Sequence, residues 1–528
     1  AIVSFFLFFI ILILSIYPKT IFFNNYFIKT FGTKSFLLIL AFLFLFIPIN
    51  QSFRYLKIKL SNTFYVLFLL FLLTLQYIFT EIPTAFLWTT LADIPLILRF
   101  LDAEFLLNDA YTNASVGSLR IPYAGSIYFF SKLGFNWYSV IYSLKILIFL
   151  SLPVLNFLIS IFLLRTWYGG KINTNFSQTI KLLSFFFSIG VLVPFQSGPN
   201  EVLGWPTFNS LNLISPMTLS CFLGMTYMYL RLAINRRYLT IVPSVLLMAS
   251  IIVHPSIGIC ISLISFLFLY NHLNFDRVKY DFSLGFILPV LGLFIVSLES
   301  KVVSTDDFVQ IYLLERHAHH FLVSQLFNLN VIVYFFILCL IALFSKLLNK
   351  FKLYYLNLLI ILSFVLCISG QYIFSELFYV RTIIEIGPLR YITFLQFIIQ
   401  FQVLLLIGQY FINVTNEHER NKNSIKLCQK NSSSQLKKTI FLIITFLIFL
   451  LLIFFKTYSH PLKYYEYLKI NEPIRWIKEN TKHSDIFFAP PPNNNNINED
   501  PSVDKMSFFI RIYGKRSIYA DFAYPFND

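Results

Sequence analysis

Charge is what this chain has least of. Only 12% of its 528 residues are Asp, Glu, Lys or Arg, against 57% that are hydrophobic. With a mean hydropathy of +0.71, no soluble domain of this length has enough interior to hide so much apolar surface. Cysteine is scarce too. The five cysteines, Cys221, Cys260, Cys339, Cys367 and Cys428, are scattered, with no metal-site spacing among them, and a disulfide framework is not expected. A Gly-rich nucleotide loop, a Walker motif, a kinase signature and a His-Glu-x-x-His motif are all missing, so ATP is not an expected direct substrate. No strong repeat stands out either, which removes support for an inverted-repeat transporter.

The most informative absence concerns the carboxylates. About twenty apolar residues cross a bilayer, and by that rule the chain holds about thirteen spans. Their limits fall near 1–16, 35–49, 62–80, 138–164, 179–195, 212–230, 238–253, 256–270, 283–298, 329–345, 354–370, 390–412 and 439–455. None of the 25 Asp and Glu residues lies within those limits. A charge at mid-bilayer costs about 2.5–3.5 kcal/mol, and ion-coupled transporters commonly keep such acids at the midplane. Their lack weighs against that class and points to chemistry at the external face.

What is present is basic. A net charge of +16 would raise nucleic acid as a partner in a soluble protein. Here the Lys and Arg residues sit mostly in short loops, where they set orientation and meet anionic headgroups. No nucleic-acid partner is expected. Arg54, Lys57 and Lys59, then Arg165 and Lys171, Arg231, Arg236 and Arg237, Arg277 and Lys279, Lys346, Lys350 and Lys352, and the segment Arg420–Lys438 occupy one set of alternate loops. That set is expected in the cytoplasm. The loop from Glu81, the Asp306–His320 loop and everything past the last span then lie outside.

The expected fold class is an all-α polytopic membrane protein of about thirteen transmembrane helices. Its transmembrane domain covers 1–456, and 457–528 begins a small extracytoplasmic C-terminal α/β domain. In that tail, Pro473–Thr481 reads as an amphipathic helix ended by Asn480, while Asp485–Pro490 and Arg516–Asp521 read as strands. The chain opens inside an apolar run and stops in mid-pattern, so both ends are expected to be truncated. Val253-His254-Pro255-Ser256 predicts a tight external hairpin between two spans, because proline disfavours helix in the residue before it.

Three clusters carry candidate chemistry. Glu81–Trp137 is the longest polar interval before the tail, and it gathers Asp102, Glu104 and Asp109. A transferase that deprotonates an acceptor needs a carboxylate where the hydroxyl or amine arrives, and one using a sugar-phosphate donor can need an oxygen ligand for a divalent cation. Asp109, between two predicted helical pieces, is the leading candidate; solvated loop acids with Asp109 as a helix N-cap is the plainer alternative. Next, Arg316, His317, His319 and His320 fall together in a chain with only 8 histidines. Guanidinium with imidazole suits a phosphate or diphosphate at the membrane surface, the rivals being a metal or simple headgroup contact. Finally, Arg381 and Arg390 flank Glu385 and Pro388 in an external loop, where arginine either grips phosphate or snorkels. Glu201 and His254 are minor candidates.

Together these features resemble the GT-C superfamily of membrane glycosyltransferases. Phe100-Leu-Asp102-Ala-Glu104-Phe-Leu-Leu-Asn108-Asp109-Ala-Tyr111 is similar to the first-loop acidic segment of an uncharacterised bacterial membrane-protein group. Arg316-His-Ala-His-His320, Pro388-Leu-Arg390 and the tail residues Trp476, Asn480, Thr481, Pro490, Arg516 and Asp521 resemble the same group. The resemblance implies a bacterial plasma-membrane enzyme, N-terminus inside, whose partners are the bilayer and a polyprenyl-phosphate sugar donor. Asp109 would then be the base or metal ligand, and a divalent cation the one cofactor in question. The acidic loop follows the third predicted span, whereas in the family it normally follows the first. The compact Asp-x-Asp motif is replaced by Asp102-x-Glu104 and a separate Asp109. A transporter or flippase of a lipid-linked or polar solute, or a non-catalytic assembly protein, are the competing expectations.

Overall fold

The computed structural model describes residues 62–76, 88–102, 105–106, 121–135, 137–168, 216–233, 241–269, 280–299, 322–326, 329–347, 351–388 and 397–406, with short pieces at 180–181, 184–185, 188, 309, 391, 394, 408, 475–482, 485–487 and 517–518. Most of these residues are helical, and among them one pair of two-residue strands is formed. In chain order the first helices are α1 (Asn62–Gln76), α2 (Trp88–Leu101), α3 (Ile121–Lys132) and α4 (Trp137–Trp167). They are followed by α5 (Pro216–Ala233), α6 (Ile241–Val253) and α7 (Pro255–Leu269). A π-helical turn, Asp281–Ile287, then runs into α8 (Leu288–Glu299). The last group is α9 (Val323–Leu326), α10 (Leu329–Leu347), α11 (Phe351–Tyr372) with its π-helical extension Ile373–Leu377, α12 (Arg381–Ile386) and α13 (Phe397–Leu406).

Hydroxyls along these helices bond back to their own backbone. Ser160 donates to the Asn156 carbonyl at 2.8 Å, Thr226 to Phe222 at 2.7 Å and Ser262 to Gly258 at 2.6 Å. The helices pack round one apolar core in which Phe157, Tyr227, Phe268, Phe364, Phe397 and Phe401 are all but fully buried. α4 packs on α1, α3 and α5; α5 packs on α6 and α7; α6 packs on the π-helical turn and α8; α10 packs on α11. Polar ties bind the layers at long range. Asn156 and Gln400 exchange amide hydrogen bonds of 2.8 and 3.3 Å between α4 and α13. Ser220 and Ser250 each donate to the other's carbonyl at 2.7 Å, joining α5 to α6. Where no competing water is near, such bonds hold helix to helix.

Among the described residues, two helical stretches are long and apolar enough to cross a membrane, Leu150–Trp167 with 18 residues and Lys352–Leu377 with 26. The second is only 22% buried, unlike the core helix of a soluble protein. The other apolar helices are shorter: Asn62–Phe71, Ile241–Val253, Pro255–Leu269, Asp281–Leu293, Phe335–Leu347 and Phe397–Leu406. The expected spans at 1–16, 35–49 and 439–455, and most of 179–195, lie outside the described residues.

The structure corrects the expectation that no carboxylate enters these helices. They run further than the apolar runs indicate, so Asp281 opens a helix and Glu376 lies within the Lys352–Leu377 stretch. In the tail, residues 475–480 form a helix closed by the Asn480 amide donating to the Trp476 carbonyl at 2.9 Å. β1 (Ile486–Phe487) pairs in parallel with β2 (Ser517–Ile518), Ile486 opposite Ser517. Among the described residues it is the only pairing of strands into a sheet.

Candidate functional site

The predicted hairpin at Val253–Ser256 is present, and its chemistry is local. The His254 N–H donates to the Ser250 carbonyl and closes α6, while its carbonyl accepts the Gly258 N–H at 2.9 Å and opens α7. Pro255, which has no N–H to satisfy, takes the first helical position. The chain then reverses so sharply that a Cβ on Gly258 would lie 2.4 Å from the Ile251 Cα. Only glycine permits that approach.

This hairpin links the surroundings of two predicted clusters. α3, from the acidic interval, packs on α6, and α12, which opens with Arg381, packs on α7. Ile251 and Val253 on α6, Ala124 and Ile127 on α3, and Ile384 on α12 are buried, yet none belongs to the main apolar cluster.

In the acidic interval, Asp102 follows α2, exposed, with its N–H bound to the Leu98 carbonyl at 2.9 Å and its carbonyl accepting the Phe105 N–H at 3.0 Å. The Arg99 guanidinium donates to the Phe105 carbonyl at 2.8 Å and clasps the turn. Leu106 then adopts φ 53°, a left-handed conformation that costs a non-glycine residue about 1–2 kcal/mol. α2 and α3 flank the predicted position of Asp109, but Glu104 and Asp109 themselves lie outside the described residues.

The basic side is tied together by Glu376. Its carboxylate accepts the backbone N–H of Val323 at 2.6 Å and that of Ser324 at 3.3 Å. The chain emerging from the Arg316–His320 segment is thereby held at the end of α11. Arg316, His317, His319, His320 and Arg390 lie outside the described residues, and Arg381 is described by its backbone alone. The α11 extension closes with the Val380 N–H bonded to the Phe374 carbonyl at 2.7 Å. Tyr379 holds the left-handed closing position at φ 48°, where glycine is the usual occupant. Gly387, at φ 58°, then ends α12 with its N–H on the Ile383 carbonyl. Leu106 and Tyr379 are the two non-glycine residues with positive φ among the described residues. One precedes Asp109 and the other precedes Arg381, and strained backbone of this kind clusters at functional sites.

One constellation is absent from the sequence expectations. Arg231, in the last turn of α5, forms a two-pronged ion pair with the wholly buried Asp281, its Nε donating at 2.8 Å and its Nη2 completing the pair. The Tyr227 hydroxyl donates to the same carboxylate at 3.0 Å and the Ser244 hydroxyl at 2.7 Å. The sequence placed both ions in loops. The available signal was that Tyr227 and Arg231, four residues apart, share a helix face.

Among the described residues, no group of three or more His, Cys, Asp or Glu could hold a metal ion. Asp102 is the one described member of the acidic trio, Glu104 and Asp109 lying outside the described residues. No family model, curated protein or solved structure matches the chain.

Proposed function

We propose that the chain is a polytopic membrane glycosyltransferase that moves a sugar from a polyprenyl-phosphate carrier to an acceptor at the external face. The full architecture in this reading is GT-C-like, with about thirteen spans and an extracytoplasmic C-terminal α/β domain in a bacterial plasma membrane, N-terminus inside. Membrane residence is supported by the Lys352–Leu377 stretch, 26 residues at 22% burial. About 39 Å of helix that leaves Leu362, Val365, Leu366 and Leu377 exposed suits lipid better than water.

The observation that supports the enzymatic reading is that α3, which follows the acidic segment in the sequence, and α12, which opens with Arg381, pack on the two arms of one hairpin. α3 approaches one arm and α12 the other, while Glu376 holds the outlet of the Arg316–His320 segment beside α12. In the reaction, the acceptor oxygen or nitrogen attacks the anomeric carbon and the bond from that carbon to the phosphate oxygen breaks. The electron pair leaves with the polyprenyl phosphate. Asp109 takes the acceptor's proton, with Asp102 and Glu104 nearby in sequence. Arg316, His317, His319, His320, Arg381 and Arg390 hold the phosphate as its charge develops.

A transporter or flippase is the second reading, and buried amides favour it. Asn156, Gln400 and Gln402 lie within apolar helices, and both side-chain polar atoms of Gln402 are buried with no hydrogen-bond partner among the described residues. Asn156 and Gln400 satisfy one another, which is helix-to-helix adhesion as much as a lining. Purified protein in liposomes separates the readings when supplied with polyprenyl-phosphate sugars and acceptors. The transferase forms a glycosylated acceptor and free polyprenyl phosphate, and Asp109→Asn abolishes product while membrane insertion and thermal stability persist. Full product formation by Asp109→Asn removes the assignment, and sugar crossing the bilayer without product favours the flippase.

A further inference from the structure

α3 is apolar on both of its faces. Ala124 and Ile127 are buried where the helix packs on α2, α4 and α6. On the opposite side Phe129 is 59% exposed and Leu133, one helical turn on, 60%, with Phe130 at 41%. Phe135, just past the end of the helix, is 60% exposed as well. A lone exposed apolar side chain needs no explanation, but four large ones in so short a stretch form a patch. A helix that is apolar all round is at home only where both faces meet nonaqueous surroundings.

The patch is held in a fixed form. The Ser131 hydroxyl donates to the Ile127 carbonyl at 3.0 Å. Gly134, at φ 94°, turns the chain so that the Phe135 N–H reaches the Phe130 carbonyl at 3.3 Å, the left-handed glycine closure of a helix. The Phe129 and Phe130 rings meet edge to face with centres 5.8 Å apart. Lys132 stands among them, its Nζ 5.3 Å from the centre of the Tyr128 ring. From Ile121 to Trp137 the sequence has no Asp or Glu, so the only formal charge the stretch carries is positive.

Two observations say what covers it. α4 starts at Trp137, immediately after this corner, and runs for 31 residues. That is about 46 Å of helix, close to the thickness of about 40–45 Å of a bilayer with its headgroups. Trp137 and Trp167 occupy its two ends, and tryptophan collects at both headgroup levels. The patch therefore stands beside the point where α4 enters the bilayer. The second observation is its chemistry, since aromatic and aliphatic side chains around a lysine match the boundary between acyl chains and anionic headgroups.

We propose that the α3–α4 corner is a membrane-interface anchor whose partner is anionic phospholipid. Phe129, Phe130, Leu133 and Phe135 enter the acyl-chain boundary, and the Lys132 ammonium meets a headgroup phosphate. The anchor rests on the membrane reading of α4 and is independent of the transferase chemistry. α2, which ends in the turn clasped by Arg99, packs on α3, so the anchor sets the height of that turn above the bilayer.

Photocrosslinking from the full chain in liposomes tests this. p-Benzoylphenylalanine is placed at Phe129, and separately at Phe135, in vesicles of equal parts phosphatidylcholine and phosphatidylglycerol, and adducts are identified by mass spectrometry. The same probe at Leu366, exposed on α11, is the reference for lipid capture. Both corner positions are expected to give phospholipid adducts with phosphatidylglycerol enriched about fivefold, the effect of one cation at an anionic surface. Lys132→Gln in the same chains is expected to remove the enrichment and leave the total yield unchanged. Adducts to a second copy or to another part of this chain overturn the anchor, as does loss of lipid adducts at both corner positions while Leu366 still captures lipid. Lipid capture at neither the corner nor Leu366 overturns the anchor and the membrane reading together. Equal capture of the two lipids with Lys132 in place, or enrichment that survives Lys132→Gln, overturns the headgroup contact.

Discussion

Asp281 brings a carboxylate into a place from which water is excluded. Two guanidinium nitrogens, the Tyr227 hydroxyl and the Ser244 hydroxyl replace its hydration. A buried pair of this kind adds little net stability over apolar residues, yet losing one partner is severe because the other charge is stranded. Asp281→Leu is therefore expected to destabilise the protein by about 3–5 kcal/mol, and Arg231→Met in the same chain to restore most of the loss. Thermal unfolding in detergent micelles reads both. Equal loss in the single and double variants would show that the ions do not act as a pair. Sequence alone treats Arg231 and Asp281 as two loop charges separated by about fifty positions, a separation that no local periodicity bridges. Leu106 and Tyr379 are equally silent in sequence, since a non-glycine residue gives no sign that its φ is positive.

At the scale of an element, the α6–α7 hairpin shows how a boundary is legible while its packing is not. Pro255 announces the break, because it has no N–H and its ring restricts the residue before it. The closeness of the two arms becomes visible only when Gly258 is found against Ile251. Gly258→Ala places a methyl group 2.4 Å from a backbone carbon, and backbone has to move to accommodate it. The expected cost is about 1–3 kcal/mol or more, as for overpacked cores. Gly370→Ala is the control, because nothing lies within 4 Å of its Cβ position and a helical alanine is favoured over glycine by up to about 1 kcal/mol. The two variants should shift the unfolding temperature in opposite directions; a neutral Gly258→Ala would mean that the arms stand further apart. The acidic interval behaves similarly. Its flanking helix over Ile121–Lys132 follows from the apolar pattern, whereas the Arg99 clasp on Phe105 and the contact of α3 with α6 do not.

For the whole molecule, the decisive question is what covers the outer helices. α10 exposes Phe336, Leu343, Phe344 and Leu347, and α11 exposes Leu358, Leu359, Leu362, Val365 and Leu366. Apolar area of this extent on adjoining helices is costly in water. A fluorophore at Leu366→Cys, 62% exposed in the native chain, is expected to be quenched by brominated lipid tails and spared by an aqueous quencher. The reverse pattern would place α11 in water and defeat the membrane reading. The same arrangement explains the modest burial of α11, since an interior made of Phe157, Phe268, Phe364 and Phe401 seals one side and leaves the other for a nonaqueous partner.

Composition and local pattern were enough to determine that this chain is helical, that its apolar surface exceeds what one soluble core can bury, and that it turns back at His254-Pro255. Those properties depend on residues adjacent along the chain or a helical turn apart, so they survive in a one-dimensional string. Tertiary structure alone decided that Asp281 is paired with Arg231, that Asn156 bonds to Gln400 across an interval of 244 residues, that Glu376 anchors Val323 and Ser324 beyond the Arg316–His320 segment, and that α3 and α12 pack on the two arms of one hairpin. Each of these depends on which helix faces meet. The hydrophobic effect favours burial without choosing a partner; glycine contacts and directional hydrogen bonds make that choice.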